Sequence, residues 1–264
     1  MELVGYVAAI IMGLSLGLMG GGGSILTVPI LVYLFGIDPV TSTAYSLFVV
    51  GLTSLMGSLS HLKSGNVHLK TAIIFGAPSI VSVYMVRKFI VPIIPDTLFS
   101  MGTFSLTKPL FVMVLFALLM LLASVSMIRG TKKSENDGGQ IKYNYPLIFL
   151  EGIFVGGFTG LVGAGGGFLI IPVLVLLAGL PMKQAVGTSL LIIALKSLIG
   201  FTGDLGSELQ IDYKFMLVFS VFAIAGILGG AYLSKFIPGR KLKPAFGWFV
   251  LVMGLFILGK ELLA

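Results

Sequence analysis

Residues 19–29 read MGGGGSILTVP and residues 162–172 read VGAGGGFLIIP: two glycine runs, each followed by a lone proline, set 143 positions apart. Working outward from them, alignment of Gly17 with Gly160 brings together Gly20/Gly163, Gly22/Gly165, Gly23/Gly166, Pro29/Pro172, Gly36/Gly179, Ser46/Ser189 and Ser54/Ser197. With small insertions the likeness runs on through Lys70/Lys214 and Phe89/Phe236. The chain is therefore a tandem duplication. Its expected parts are a first transmembrane repeat (1–128), a cytoplasmic linker (129–145) and a second transmembrane repeat (146–264). The first copy carries an extra loop near 95–108, PDTLFSMGTFSLTK, that the second lacks.

Composition decides which physics applies to the glycines. Of 264 residues 57% are hydrophobic and 10% charged, with a mean hydropathy of +1.10, whereas a globular domain carries about a quarter charged residues. This is the composition of an integral, multi-pass protein of the cell (cytoplasmic or inner) membrane, with the lipid bilayer as its first partner. The formal charge of +7 is spread over short loops and forms no stripe, so it reads as topology and lipid contact and excludes nucleic acid as a partner. With no cysteine there is no disulfide or thiolate chemistry. The start, MELVGYVAAI, lacks the basic region of a cleavable signal, so this stretch is expected to remain in the mature chain.

Five apolar stretches recur in each repeat: about 3–18, 24–36, 40–60, 71–94 and 109–128, then about 146–161, 167–180, 184–203, 214–237 and 243–263. Crossing the hydrocarbon takes about 20 helical residues. The third, fourth and fifth of each set are long enough, the first is marginal and the second is short. Each first pair is then a hairpin of short helices meeting at the glycines, or one discontinuous helix.

Loop charge discriminates between these, because cytoplasmic loops are rich in Lys and Arg. The loop after the third stretch holds Lys63 and Lys70 in the first repeat, but Asp204, Glu208 and Asp212 against Lys214 in the second. Equivalent loops thus fall on opposite sides. The linker, with Arg129, Lys132, Lys133 and Lys142, reads as cytoplasmic, as does the late loop with Lys235, Arg240, Lys241 and Lys243. An odd number of crossings per repeat follows, which a hairpin plus three spans or five short spans satisfies and a single broken helix plus three spans does not. The expected fold is all-α: two inverted repeats, each a glycine-broken pair of short helices plus three long transmembrane helices, with both termini outside the cytoplasm.

Backbone groups at membrane depth must be hydrogen-bonded internally, so a glycine run there is tolerable only if buried in protein or lining a watery cavity. If half-helices start at Ser24 and at Gly167 or Phe168, their unpaired N–H groups and positive dipole ends point into the glycine segments and form an anion site. Ser24 is the expected N-cap of the first. Neither run is a P-loop or a dinucleotide fingerprint. Gly13/Gly17, Gly152/Gly156/Gly160 and Gly226/Gly230 have the small-xxx-small spacing of tight helix crossings, and close packing is the competing account of the glycine runs themselves.

These elements, GLMGGGGSILTVPIL with TSTAYSL in the first half and GLVGAGGGFLIIPVLVLLAGLPMKQAVGTSLL in the second, resemble the TauE/SafE sulfite exporter family over essentially the whole chain. The resemblance implies a membrane transporter of sulfite or small organosulfonates. The first copy departs from the pattern with Ala44-Tyr45-Ser46 where the second has Gly187-Thr188-Ser189, which leaves the role of Tyr45 open.

Side chains within the spans point independently to an anion. Lys196 lies inside LLIIALKSLIG, where a charge is costly and defaults to a functional role; its counterpart is Thr53. Thr43, Ser46, Thr188 and Ser189 open the same pair of spans and can donate hydroxyls to sulfonate oxygens. The candidate substrate site is thus Gly20, Gly21, Gly22, Gly23, Ser24, Thr43, Ser46, Gly163, Gly165, Gly166, Gly167, Thr188, Ser189 and Lys196. Arg87 and Lys88 read as a membrane boundary, His61 and His68 as solvated loop residues, and Asp204 as a loop acid. No metal-ligand spacing, catalytic set or cofactor motif is present. The expected activity is export of a small sulfur oxyanion or organosulfonate by alternating access, with a proton as the candidate coupling ion. An anion channel and a non-transport membrane scaffold are the alternatives.

Overall fold

A computed structural model describes residues 2–101, 104–129, 145–206, 209, 211–234 and 239–263. The linker lysines, Glu208 and Lys235 lie outside the described residues, as do the side chains of Arg240, Lys241 and Lys243. The first repeat comprises α1 (Glu2–Met19), a 3₁₀ turn (Gly20–Leu26), α2 (Thr27–Phe35), α3 (Pro39–Lys63) and α4 (Leu69–Met85). A π turn (Val86–Ile90) then leads into α5 (Val91–Ile93) and α6 (Lys108–Arg129). The second comprises α7 (Tyr145–Val162), α8 (Gly167–Leu176), α9 (Met182–Thr202), α10 (Tyr213–Leu233) and α11 (Gly239–Leu263). The extra segment of the first repeat forms a short antiparallel hairpin, β1 (Thr97–Met101) with β2 (Phe104–Thr107). Among the described residues, seven helical stretches are long and apolar enough to cross a membrane, counting α1 through α2 as one.

That first stretch is a hairpin and not a broken rod. Tyr6, near the start of α1, packs edge-on against Phe35 at the end of α2, ring centroids 5.4 Å apart. A side chain on Gly5 would collide with the same Phe35 ring. Chain reversal is thus made at the glycine turn, where the absence of side chains lets Gly23 lie against Leu16 and Ser15.

The remaining helices pair across the two repeats. Gly13 and Gly17 of α1 abut Ala223 and Ile227 of α10, and Gly152 and Gly156 of α7 abut Phe75 and Ser79 of α4. In both pairs residue numbers rise together, so each pair is parallel. The small-xxx-small glycines are therefore crossing points, as their spacing predicts: their missing Cβ atoms let one backbone touch the next. At the centre, Gly51 of α3 lies against Leu198 of α9, while Gly187 lies against His61. Numbers there run in opposition, so α3 and α9 are antiparallel, and the Thr53 level of one meets the Lys196 level of the other.

Two apolar cores flank this central pair. One gathers Met12, Ile25, Leu31, Phe116, Phe219 and Val250 from α1, α2, α6, α10 and α11 with the turn between α1 and α2; the other gathers Phe75, Ile148, Ile170 and Ile192 from α4, α7, α8 and α9.

Candidate functional site

The fold brings the two glycine runs into direct contact. Gly21 and Gly167 meet backbone to backbone, and a Cβ on either would strike the other. Packing therefore accounts for these two glycines without a ligand. Around that contact, Gly163 touches Thr43, Gly20 faces Val186, and a Cβ on Gly165 would meet Val50, Ile193 and Ser24. The pairs Gly163/Thr43 and Gly20/Val186 occupy equivalent positions in the duplication.

The two breaks differ locally. In the first, Gly20–Leu26 wind into a 3₁₀ turn, α2 begins only at Thr27, and the Thr27 N–H bonds the Ser24 carbonyl. Ser24 is not the N-cap expected for a helix starting there: its hydroxyl donates back to the Gly21 carbonyl at 2.7 Å. The 3₁₀ turn takes up donors that a freshly started α-helix would leave open. In the second break α8 begins at Gly167, as expected, after Gly163, Gly165 and Gly166 at φ of 68°, 63° and 69°. That left-handed run lets the chain turn straight into a helix whose Leu169 and Ile170 N–H groups bond the Gly166 carbonyl, leaving those of Gly167 and Phe168 without an intrahelical acceptor.

Lys196 joins the second break. It is fully buried, two-thirds of the way along α9, and its Nζ donates to Thr159 Oγ1 at 2.8 Å. A Cβ on Gly166 would lie 2.7 Å from that Nζ, so the ammonium rests against the glycine loop. Thr159 passes its own hydrogen on to the Gly156 carbonyl. Thr53 instead closes on its own helix at Val49, 2.7 Å away.

The predicted hydroxyls separate by position. Thr43 lies beside the second break, and Ser46, one turn further along α3, is buried with no hydrogen-bond partner. Ser189 is tied to the Val186 carbonyl. Thr188 lies at the opposite end of the central pair, where its Oγ1 accepts the His68 N–H at 2.9 Å. Tyr45 has the matching role: its hydroxyl accepts the Asp212 N–H at 2.6 Å. His68 and Asp212 are the N-caps of α4 and α10. The two ends are therefore clasped alike, by a cap of one repeat against a hydroxyl of the other.

Three expectations about charged and histidine residues are corrected. Arg87 is no boundary residue; it is 1% exposed, carried inward by the π turn. Asp204 is no solvated loop acid; it is 2% exposed, accepts a hydrogen bond from Arg87 Nε at 2.8 Å and lies 2.7 Å from Arg87 NH2 in a salt bridge. Arg87 NH1 also donates to Thr43 Oγ1 (2.8 Å) and the Gly160 carbonyl (3.2 Å). Burial raises the Asp204 carboxyl above its ordinary range, and Arg87 pulls it back down. Its charged form therefore depends on Arg87. His61, in the last turn of α3, packs against Gly187 and is no solvated loop residue, while His68 is a half-buried loop residue that caps α4. Lys88 fits a boundary, reaching back to Tyr84.

A cavity of about 280 Å³ opens at the Tyr45 end among Glu2, Tyr6, Phe35, Tyr45, Asp212 and Phe215. Its two carboxylates suit it poorly to an anion.

Comparison with known proteins agrees with this architecture. The family model described as Sulfite exporter TauE/SafE matches residues 6–257. A probable membrane transporter protein of Xylella fastidiosa (strain 9a5c) is 27% identical over 256 residues, covering 95% of this chain and 92% of that protein. Probable membrane transporter protein YunE of Bacillus subtilis (strain 168) is 32% identical over 219 residues, covering 74% and 76%. Probable membrane transporter protein MJ0441 of Methanocaldococcus jannaschii is 29% identical over 265 residues, covering 96% and 93%. No solved structure matches.

Proposed function

The chain belongs to the TauE/SafE sulfite exporter family of membrane transporters, and we propose that it exports a small sulfur oxyanion or organosulfonate by alternating access. The carrying observation is Lys196. It is buried against the second glycine break beside the start of α8, and its hydrogen-bond partner is a neutral hydroxyl. A buried ammonium without a counter-ion is costly, whereas an arriving anion would supply both charge and acceptors. The helix start adds N–H donors and the favourable dipole end; the Thr43 hydroxyl is already committed, donating to the Val40 carbonyl and accepting Arg87 NH1.

The transport cycle follows from inverted repeats. Their support is the antiparallel run of the equivalent helices α3 and α9 and the reciprocal pairing of α1 with α10 and α7 with α4. An anion held near the crossing of α3 and α9 is reached from one side, then the other, as one bundle rocks on its partner. The inside-negative potential favours export of an anion by about 2.3 kcal/mol per charge per 100 mV.

The test is flux of labelled sulfite and sulfoacetate in proteoliposomes, with Lys196→Met as the comparison. A transporter gives saturable flux that the variant loses at equal protein content. Non-saturating currents would indicate a channel, and absence of flux a scaffold.

A further inference from the structure

The duplication predicts two equivalent entrances, one at the start of α3 and the other at the start of α9. Both carry the cap-to-hydroxyl clasp, Asp212 with Tyr45 at one and His68 with Thr188 at the other. Among the described residues, the first alone carries a buried ion pair. Arg87 draws together four segments there: its own π turn after α4, Thr43 at the start of α3, Gly160 near the end of α7 and Asp204 just past α9. Two of these belong to each repeat. At the other entrance, the counterpart of Asp204 is His61, and the counterparts of Arg87 fall in the uncharged run Ala231–Ser234. Among the described residues this is the sole salt bridge.

Such a pair is a poor device for stability, since its desolvation offsets its attraction, but a good device for holding one arrangement of two bodies against another. The guanidinium is used on both faces, so the first entrance cannot widen without separating Arg87 from Asp204, Thr43 or Gly160. Among the described residues the second entrance shows the neutral hydrogen bond of the His68 N–H to Thr188.

We propose that Arg87 and Asp204 form a charge latch that shuts the α3-end entrance alone, leaving the α9-end entrance as the easier way to the central site. The latch rests on the alternating-access reading. By the loop charges, the α9 end lies beside the basic Lys63–Lys70 loop and so faces the cytoplasm, which is the side an exporter must load from.

The chain contains no cysteine, so single reporters are clean. Ser46→Cys and Ser189→Cys place equivalent, fully buried thiols one behind each entrance. Their rates of modification by a water-soluble thiol reagent are compared in detergent, in the parent and after Asp204→Asn. The expected result is faster labelling at Ser189→Cys than at Ser46→Cys in the parent. Asp204→Asn then raises the Ser46→Cys rate about tenfold or more, a shift of about 1.4 kcal/mol between the two states, and lowers the Ser189→Cys rate. Arg87→Gln must move the ratio the same way, which guards against a folding defect peculiar to one variant. Equal rates in the parent, or a ratio unmoved by both substitutions, overturns the latch. The readout involves no anion. A shifted ratio in a protein without sulfite flux would keep the latch and overturn the substrate reading instead.

Discussion

The two glycine breaks share a sequence pattern and a starting conformation but not a structure. Gly20 and Gly163 open them at φ of 69° and 68°. Beyond that, Gly21 to Leu26 continue as a 3₁₀ turn that ties Ser24 to Gly21, whereas Gly165 and Gly166 stay left-handed and release α8 directly at Gly167. The difference coincides with one substitution on the helix facing each break. Thr53 satisfies itself on its own backbone, while Lys196 reaches out to Thr159 and the glycine loop. Duplication preserved the frame, and a single lysine at the crossing of α3 and α9 sets the second half, where the anion site is proposed, apart from the first.

The largest effect is expected where the two breaks coincide. Gly21→Val and Gly167→Val each force a side chain into the opposing backbone, at a cost of about 3 kcal/mol or more. Neither should yield a monodisperse peak on size-exclusion chromatography. A normally melting Gly21→Val protein would mean that the breaks are not in contact.

Next in size is the asymmetry between the entrances. Arg87→Met strands a buried carboxylate and should cost about 3–5 kcal/mol in thermal unfolding, while Arg87→Met combined with Asp204→Leu should recover most of it. His61→Asn, at the position equivalent to Asp204, should change the melting temperature far less. Similar losses from Arg87→Met and His61→Asn would erase the distinction between the two ends.

Smaller still, Tyr45→Phe and Thr188→Val each remove one hydroxyl acceptor and leave a cap N–H behind. Each should cost about 1 kcal/mol. Near-equal values would sharpen the equivalence of the two clasps; a null effect at one alone would break it.

Much of this was legible in the sequence, for identifiable reasons. The duplication and the long spans rest on patterns covering many residues, and the first hairpin on the glycine break and the loop charges. Lys196 stood out because a charge deep in an apolar span is costly and defaults to a functional role, with snorkelling to an interface as the competing account. What escaped reading depends on contacts between the repeats. Arg87 and Asp204 sit beside span ends, where charges ordinarily meet water, and their burial exists only because α4 and α9 bring them together. One cue was present: Phe89-Ile90-Val91 continue the apolar stretch past Arg87, so the arginine is inside it rather than at its edge. Ser24 misled because a capping residue and a 3₁₀ residue have the same composition, and the fold of the preceding glycines decides between them. Tyr45 had no sequence partner to suggest its role until Asp212 was placed opposite, 167 residues away.

The central claim is that Lys196 is present to meet an anion. Thermal unfolding of the parent, Lys196→Met and Lys196→Arg, each titrated with sulfite, sulfoacetate and chloride, addresses it most directly. Lys196→Met keeps the apolar stem and removes the charge, so it should fold and melt at or above the parent's temperature. The account predicts that sulfite or sulfoacetate stabilises the parent by ligand linkage, by about 2.7 kcal/mol at 100 times Kd, and so raises its melting temperature. The shift should vanish in Lys196→Met and survive in part in Lys196→Arg, whose charge is kept on a longer, planar group. An undiminished sulfite shift in Lys196→Met would contradict it, leaving the start of α8 without the lysine as the anion's only partner.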